Sequence, residues 1–290
     1  MTLVYTLFSF LYQTGDAFAF LVLSACGLAI IFGMMGVINL AHGEFILCGA
    51  YVCSASARAG LPLPLAILAG AVAAGLVGMV IERIIIRPLY DRPLDTIVAT
   101  WGVSMIVTQS TLIILGSAMP GTGTPFGSFA VGPYSYSVYR VVLMAAAVVT
   151  LGVLWLGFTK TRFGILARAT IQVPHIAQAL GVNTGLIYSL TFGLGAALAG
   201  LAGGLYAPTM TLVPTMGSAF VVEAFVTVVV GGADIFLGTA PAALVLGAAK
   251  AALTSWQGQL AGQIGLLVAV IIVIRILPRG ISGWILRERA

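Results

Sequence analysis

The residues best equipped for chemistry sit in one short stretch, Gly33-Met-Met-Gly-Val-Ile-Asn-Leu-Ala-His-Gly-Glu-Phe45. Asn39, His42 and Glu44 put an amide, an imidazole and a carboxylate between two apolar runs, and Gly36 and Gly43 loosen the helix around them. Ionisable groups at membrane depth are costly and usually line a pathway or pair with each other. Broken helices near the bilayer midplane are where transporters build polar sites. The same spacing equally suits a plain polar turn at the cytoplasmic surface in which His42 and Glu44 are merely solvated. Glu223 is another acidic residue within an apolar run, and with Glu44 and His42 it makes a candidate proton relay. Thr100 and Trp101 are weaker candidates for the same polar path, since a core threonine and a packing tryptophan explain them equally well.

Two further stretches carry a pattern. In Lys160–Asn183 (KTRFGILARATIQVPHIAQALGVN), Pro174 suits the first helical position, which needs no amide proton, and Gly181 suits a C-cap. A short helix over 174–180 follows, either a rigid piece that receives force on the ATP side or a plain amphipathic connector. In 82–101, Glu82, Arg83, Arg87, Asp91, Arg92 and Asp95 alternate in sign and allow local ion pairs, worth little where exposed. Asp95 there complements the start of a helix.

Other chemistries are missing their residues. The phosphate-cradling pattern G-x-x-x-x-G-K-[ST] needs a glycine before its lysine, but Lys160 follows Thr159 and Lys250 follows Ala249. There is no His-Glu-x-x-His and no Gly-x-Ser-x-Gly elbow, and the 2 histidines are far apart. Cys26, Cys48 and Cys53 lack Cys-x-x-Cys spacing and read as small core residues rather than a disulfide framework or zinc site. No hydrolytic, redox or metal chemistry is expected.

The elements that must position these groups follow from composition. Of 290 residues, 60% are hydrophobic and 7% charged, against about 25% charged in soluble domains, and the mean hydropathy is +1.13. A soluble fold could not hide that apolar surface, so soluble enzymes, nucleic-acid binders and disordered chains are excluded and the lipid bilayer is the solvent. Apolar runs over 17–38, 44–57, 63–82, 96–116, 141–158, 186–206, 219–230, 236–255 and 262–276 predict an all-α polytopic bundle of eight to ten membrane segments. The second and seventh fall short of the roughly 20 residues of a full crossing. The net charge is 13 − 8 = +5. Ten of the 13 basic residues form three clusters: Arg83, Arg87, Arg92; Lys160, Arg162, Arg168; and Arg275, Arg279, Arg287, Arg289. Such clusters mark cytoplasmic loops, which puts 60–64, 117–139 and 208–218 outside. An odd count of nine then puts the N-terminus outside, in keeping with the Lys/Arg-free segment 1–12, which could also lie along the interface. The first basic residue is Arg58, so no cleavable signal is expected. Small residues four apart (Gly195, Ala199, Gly203; Ala66, Gly70, Ala74, Gly78) predict close helix packing.

At this point the sequence becomes familiar. Ile38-Asn-Leu-Ala-His-Gly-Glu-Phe45 resembles the signature of the high-affinity branched-chain amino acid permeases, the LivH-type membrane subunits of ATP-binding-cassette importers. Arg168-Ala and Ala179-Leu-Gly-Val-Asn183, followed by Leu190-Thr-Phe192 and the small-residue run 195–204, are similar to that family's coupling loop and next span. Gly231-Gly232 and Pro278-Arg279-Gly280 also match, so the resemblance covers about residues 21–284. Arg87–Gly102 looks closer to the urea and short-amide branch, whereas Gly231-Gly-Ala-Asp-Ile-Phe-Leu-Gly238 puts Asp234 where a glycine is common.

The resemblance implies one permease domain over 1–290, with a type II-like importer bundle and a cytoplasmic coupling loop over 159–185. It implies a multi-pass protein of the bacterial inner membrane that imports a small polar solute by alternating access, branched-chain or other hydrophobic amino acids first, urea or short amides second. Its partners would be a LivM-like companion permease, two ATPase subunits and an extracytoplasmic solute-binding protein, with no nucleic acid. This chain would hold no cofactor, ATP and magnesium being used by the ATPases. Arg168, Pro174, His175, Ala179, Leu180 and Gly181 would meet an ATPase subunit. Asn39, His42, Glu44, Thr100, Trp101 and Glu223 would give the path its polarity. The rivals are a proton-coupled secondary carrier built on the Glu44–His42–Glu223 relay, and a purely structural scaffold.

Overall fold

The structure is a computed structural model that describes residues 2–232, 234–278 and 280–287, leaving aside the side chains of residues 2, 3, 286 and 287. Arg279, Arg289 and the Arg287 side chain, from the C-terminal basic cluster, lie outside the described residues, as does Ala233.

All nine apolar runs are helical. They form α1 (Thr2–Met35), α2 (His42–Arg58), α3 (Leu63–Ile81), α4 (Pro93–Leu115), α5 (Val138–Lys160), α8 (Thr184–Tyr206), α9 (Met216–Gly231), α10 (Ala240–Gln257) and α11 (Gln259–Ile276). Between α5 and α8 lie α6 (Arg162–Gln172) and α7 (Pro174–Ala179), and α12 (Gly280–Arg287) follows α11. Among the described residues seven helices are long and apolar enough to cross a membrane, one fewer than the lower bound read from the sequence, with Met216–Gly231 as a shorter apolar helix. The difference arises because α2 and α9, with 17 and 16 residues, are too short to cross alone. Both are held inside the bundle by their neighbours. This is a multi-pass membrane protein.

Segment 2–12 continues the first span: it is the first third of α1, a single helix of 34 residues and about 50 Å. Its aromatic side chains explain why. Phe8 and Tyr12 pack on Tyr136 with ring centroids 5.2 and 4.7 Å apart, and the Tyr12 hydroxyl donates to Ser137 O at 2.8 Å. Tyr136 belongs to a small antiparallel hairpin, β1 (Ser128–Val131) and β2 (Tyr134–Ser137), which an all-α reading does not anticipate. Gly132, with φ +61°, supplies the positive φ that a two-residue hairpin turn requires at its first position. The hairpin lies in the charge-free loop over 117–139 and packs on the start of α1, so the N-terminus lies on the same side of the bundle as that loop.

Both predicted small-residue stripes lie at close helix contacts, the α8 stripe against α1 and α2 and the α3 stripe against α2 and the neighbouring 196/200 row of α8. A Cβ on Gly203 would lie 1.9 Å from Ile46 O, one on Gly49 2.1 Å from Gly200 O, and one on Gly70 2.4 Å from Gly49 O. Helices α2, α3 and α8 therefore touch backbone to backbone. In lipid no hydrophobic force drives helices together, so this close approach is what holds them. Gly43 does not loosen α2 as expected: its Cβ would meet Gly217 O at 2.0 Å, which joins the N-termini of α2 and α9.

The 13 − 10 = 3 basic residues outside the cytoplasmic clusters are all engaged. Arg58 donates to Pro120 O at 2.6 Å, Arg140 pairs with Asp16 at 2.5 Å and Lys250 with Glu223 at 2.8 Å. None of these three is left as a lone cation near the apolar phase, where it would be costly.

Candidate functional site: a broken helix and a coupling loop

Helix α1 ends where Gly36, at φ +65°, turns left-handed and its N–H closes on Phe32 O at 2.9 Å. The chain then doubles back. A Cβ on Gly27 would lie 2.1 Å from Gly195 O and 3.1 Å from the His42 ring, and Gly195 is the midpoint of α8. Helix α2 thus begins about 12 Å back from the end of α1, halfway along α8. The plain surface turn is overturned: Asn39 and His42 are fully buried and Glu44 is 4% exposed.

Each side chain has a defined job in this knot. Asn39 Oδ1 accepts from Ala41 N at 3.0 Å and shapes the turn. His42 Nε2 lies 2.9 Å from Ser24 O; a carbonyl only accepts, so Nε2 carries the hydrogen and Nδ1 of the neutral ring is a lone-pair acceptor. Glu44 Oε1 accepts from Ser104 at 2.8 Å and Thr108 at 3.2 Å, and Thr100 Oγ1 accepts from Leu40 N at 3.2 Å. Helix α4 is otherwise largely exposed, so these three bonds tether it to the broken segment. Asn39 Nδ2, His42 Nδ1 and Glu44 Oε2 are buried without a protein hydrogen bond, which leaves one donor and two acceptors together within one short segment.

Two candidates fall away from this knot. Trp101 is 56% exposed and points away from the knot, because consecutive helical residues point about 100° apart and Thr100 takes the buried direction. Glu223 bonds Lys250 Nζ through both oxygens, at 3.0 and 2.8 Å. Among the described residues Glu44, His42 and Glu223 make no bond to one another, so the proton relay is not assembled.

Residues 159–185, the expected coupling loop, fold close to the local expectation. Pro174 opens α7, and the helix ends one residue earlier than predicted, at Ala179. Gly181 has φ +85°; its N–H bonds Gln178 O at 2.9 Å, and Val182 N bonds Ala177 O at 3.0 Å. That pair of bonds is a Schellman motif. Asn183 then caps α8 by accepting from Leu186 N at 3.0 Å. His175, Ala179 and Leu180 are exposed, Leu180 to 80%, with Ile176 beside them and Ala177 turned inward. Arg168, also exposed, lines a crevice of about 220 Å³ with Gly33 and Met34 of α1 and with Asp234. Asp234 departs from glycine for a reason: its carboxylate accepts from Phe236 N and Leu237 N, at 2.8 and 2.7 Å, and starts the turn that leads into α10.

Sequence reasoning undervalued Glu82. Arg92–Asp95 is an exposed pair at 2.6 Å, as read, but Glu82 is fully buried. Its carboxylate accepts from Ser189, from Tyr90 at 2.5 Å and from Arg87 at 3.3 Å, while Arg87 also donates to Gly185 O. Burial, reinforced by the Glu82 carboxylate, holds the Tyr90 phenol well above its usual value, so it stays a neutral donor. The network rivets the end of α3 to the start of α8, directly after the coupling loop. The alternating signs around Glu82 were the available signal, and they did not reveal its depth.

A sequence model of the family described as "Branched-chain amino acid transport system / permease component" matches residues 12–277. The chain belongs to that family. It is 27% identical to the high-affinity branched-chain amino acid transport permease LivH of Escherichia coli K12, over 90% of each chain. It is 28% identical to BraD of Pseudomonas aeruginosa, over 90% of this chain and 91% of BraD. The autoinducer 2 import permease LsrD of Escherichia coli O9:H4 aligns at 28% over 73% of this chain and 66% of its own. No solved structure matches. The chain is a multi-pass inner-membrane permease subunit of an ATP-binding-cassette importer, a transport subunit that works with ATPase and solute-binding partners.

Proposed function

We propose that this permease passes branched-chain or other hydrophobic amino acids, with urea and short amides as the second class, along a path beside Asn39, His42 and Glu44. The carrying observation is the buried knot at the start of α2, with three polar atoms that no protein group satisfies. A zwitterion or an amide crossing a bilayer needs donors and acceptors at depth, and there they stand halfway along α8. Thr100 belongs to the same path through its bond to Leu40; Trp101 and Glu223 do not. The names of LivH and BraD support the amino-acid reading.

The motion would start at the coupling loop. Two ATPase subunits, using ATP and magnesium, would close on the exposed Pro174–Gly181 helix end of this chain and of a LivM-like companion. Arg168 and α6 bear on the end of α1 next to the break, and the Glu82 rivet links α8 to α3. A push on α7 would therefore reach both sides of the broken segment and rock it from one face of the membrane to the other. An extracytoplasmic binding protein would deliver the solute and make most of the selection.

In proteoliposomes holding the whole complex, leucine uptake is expected to require ATP and both ATPase subunits, and to persist with a protonophore while ATP is maintained. Uphill accumulation by this chain alone, or collapse under the protonophore, would return the carrier reading.

The coupling assignment has its own test. Gly181→Val is expected to lower uptake about five- to thirtyfold with the complex still assembled, because a left-handed β-branched residue costs roughly 1–2 kcal/mol. Gly181→Asn, which tolerates that conformation, should retain most activity. A Cβ at Gly181 meets nothing within 4 Å, so backbone conformation alone is tested. Equal uptake in both variants would remove α7 from the coupling role.

A further inference from the structure

The cytoplasmic end of the α3–α8 seam holds a groove of about 400 Å³. Its walls divide by chemistry. Leu76, Met79, Val80 and Leu186 line the part that faces the bilayer, and Arg83 and Arg87 line the part next to the cytoplasmic basic cluster. Leu76, Val80 and Leu186 are each more than half exposed, so acyl chains reach them directly.

The charges are unequal in their commitments. Arg87 is spent on Glu82, Gly185 O and Ser189. Arg83 is exposed, and among the described residues it has no carboxylate partner within ion-pair distance. Glu82, Arg83 and Arg87 sum to −1 + 1 + 1 = +1, a single positive charge left at the headgroup level.

We propose that this groove holds an anionic phospholipid, its phosphate on Arg83 with Arg87 behind it and one acyl chain along Leu76, Val80 and Leu186. Charge complementarity favours this occupant. A zwitterionic lipid brings its own cation to a mouth already one charge positive, whereas phosphatidylglycerol brings a net negative charge. A guanidinium forks onto phosphate oxygens, and basic pockets between helices on the cytoplasmic side take acidic headgroups. A lipid there would touch Asn183, which also lines the groove and caps α8, and so would sit against the joint between the coupling loop and the span it moves.

The test uses the whole importer, reconstituted in phosphatidylcholine vesicles containing phosphatidylglycerol, extracted, and weighed intact by native mass spectrometry. The wild-type complex is expected to keep phosphatidylglycerol in preference to phosphatidylcholine. Arg83→Ala should lower that retention about fivefold, the worth of one basic side chain near an acidic surface, and Arg83→Lys should restore it. Should Arg83→Ala fail to assemble, Leu76→Trp gives the same reading by filling the apolar part. Equal retention of the two lipids, unchanged retention in Arg83→Ala, or no lipid retained by the assembled complex would overturn the proposal. So would displacement by glycerol phosphate, which would make the groove a soluble-anion site. Retention is read as mass, so the result stands apart from whichever solute is transported.

Discussion

Glu44→Ala is expected to lower ATP-driven uptake by roughly tenfold to a hundredfold while the complex still assembles. The variant removes the acceptor shared by Ser104 and Thr108, which lie on a helix held to the bundle by little else. Interhelical hydrogen bonds in membranes are each worth about 0.6–1.7 kcal/mol. Losing two costs α4 about 1–3 kcal/mol of its preference for the observed position, and each 1.4 kcal/mol is tenfold. Assembly survives because α4 is apolar enough to remain inserted by itself. Glu44→Gln separates anchoring from charge, since its amide oxygen can still accept both hydroxyls. Uptake in Glu44→Gln near wild type would make the residue a tether; uptake near that of Glu44→Ala would make the carboxylate itself part of the path. Wild-type uptake in Glu44→Ala would exclude Glu44 from either role.

The largest expected effect on stability is at Gly203. Gly203→Val would bring a Cβ to 1.9 Å from Ile46 O and 2.9 Å from Ala50 N. Both are helix backbone and cannot swing aside as a side chain would, so α2 and α8 must separate. That separation also opens the Gly49–Gly200 approach on the same pair of helices. Overpacking at one well-packed site costs about 1–3 kcal/mol, and here the neighbouring contacts are lost with it. The variant is expected to give no monodisperse peak in size-exclusion chromatography of the detergent extract. Gly152→Val is the matched control, because a Cβ there meets nothing within 4 Å, and it should elute as wild type. A normal peak and melting temperature for Gly203→Val would mean that backbone contact does not hold the bundle.

What could be read early rested on local rules. Apolar length gave nine helical runs, because insertion responds to hydropathy along the chain. Pro174 and Gly181 marked a short helix, since both act through their own backbone geometry. The small-residue stripes were visible too, although not which stripe meets which.

Other assignments depended on three-dimensional neighbours. Spacing could not decide whether His42 and Glu44 faced water or the interior; the return of the chain at Gly36 did, by setting α2 against Ser24 and the middle of α8. Glu223 had the composition of a relay residue until Lys250, 27 positions on, proved to be its partner. Trp101 and Thr100 are adjacent in sequence, yet one is exposed and the other buried. Glu82 looked like one charge among several in a loop and is the buried centre of a rivet.

From its sequence alone this protein is a polytopic helical permease with a polar break after the first span and a helical loop on the cytoplasmic side. Hydropathy, charge bias and turn chemistry are properties of neighbouring residues, so one strand of text carries them. Which polar groups are buried, which are paired, and which are left with unsatisfied atoms was decided by tertiary structure. Burial and pairing depend on what the rest of the chain brings alongside, and here Ser24 lies 18 residues from His42 and Ser189 lies 107 from Glu82.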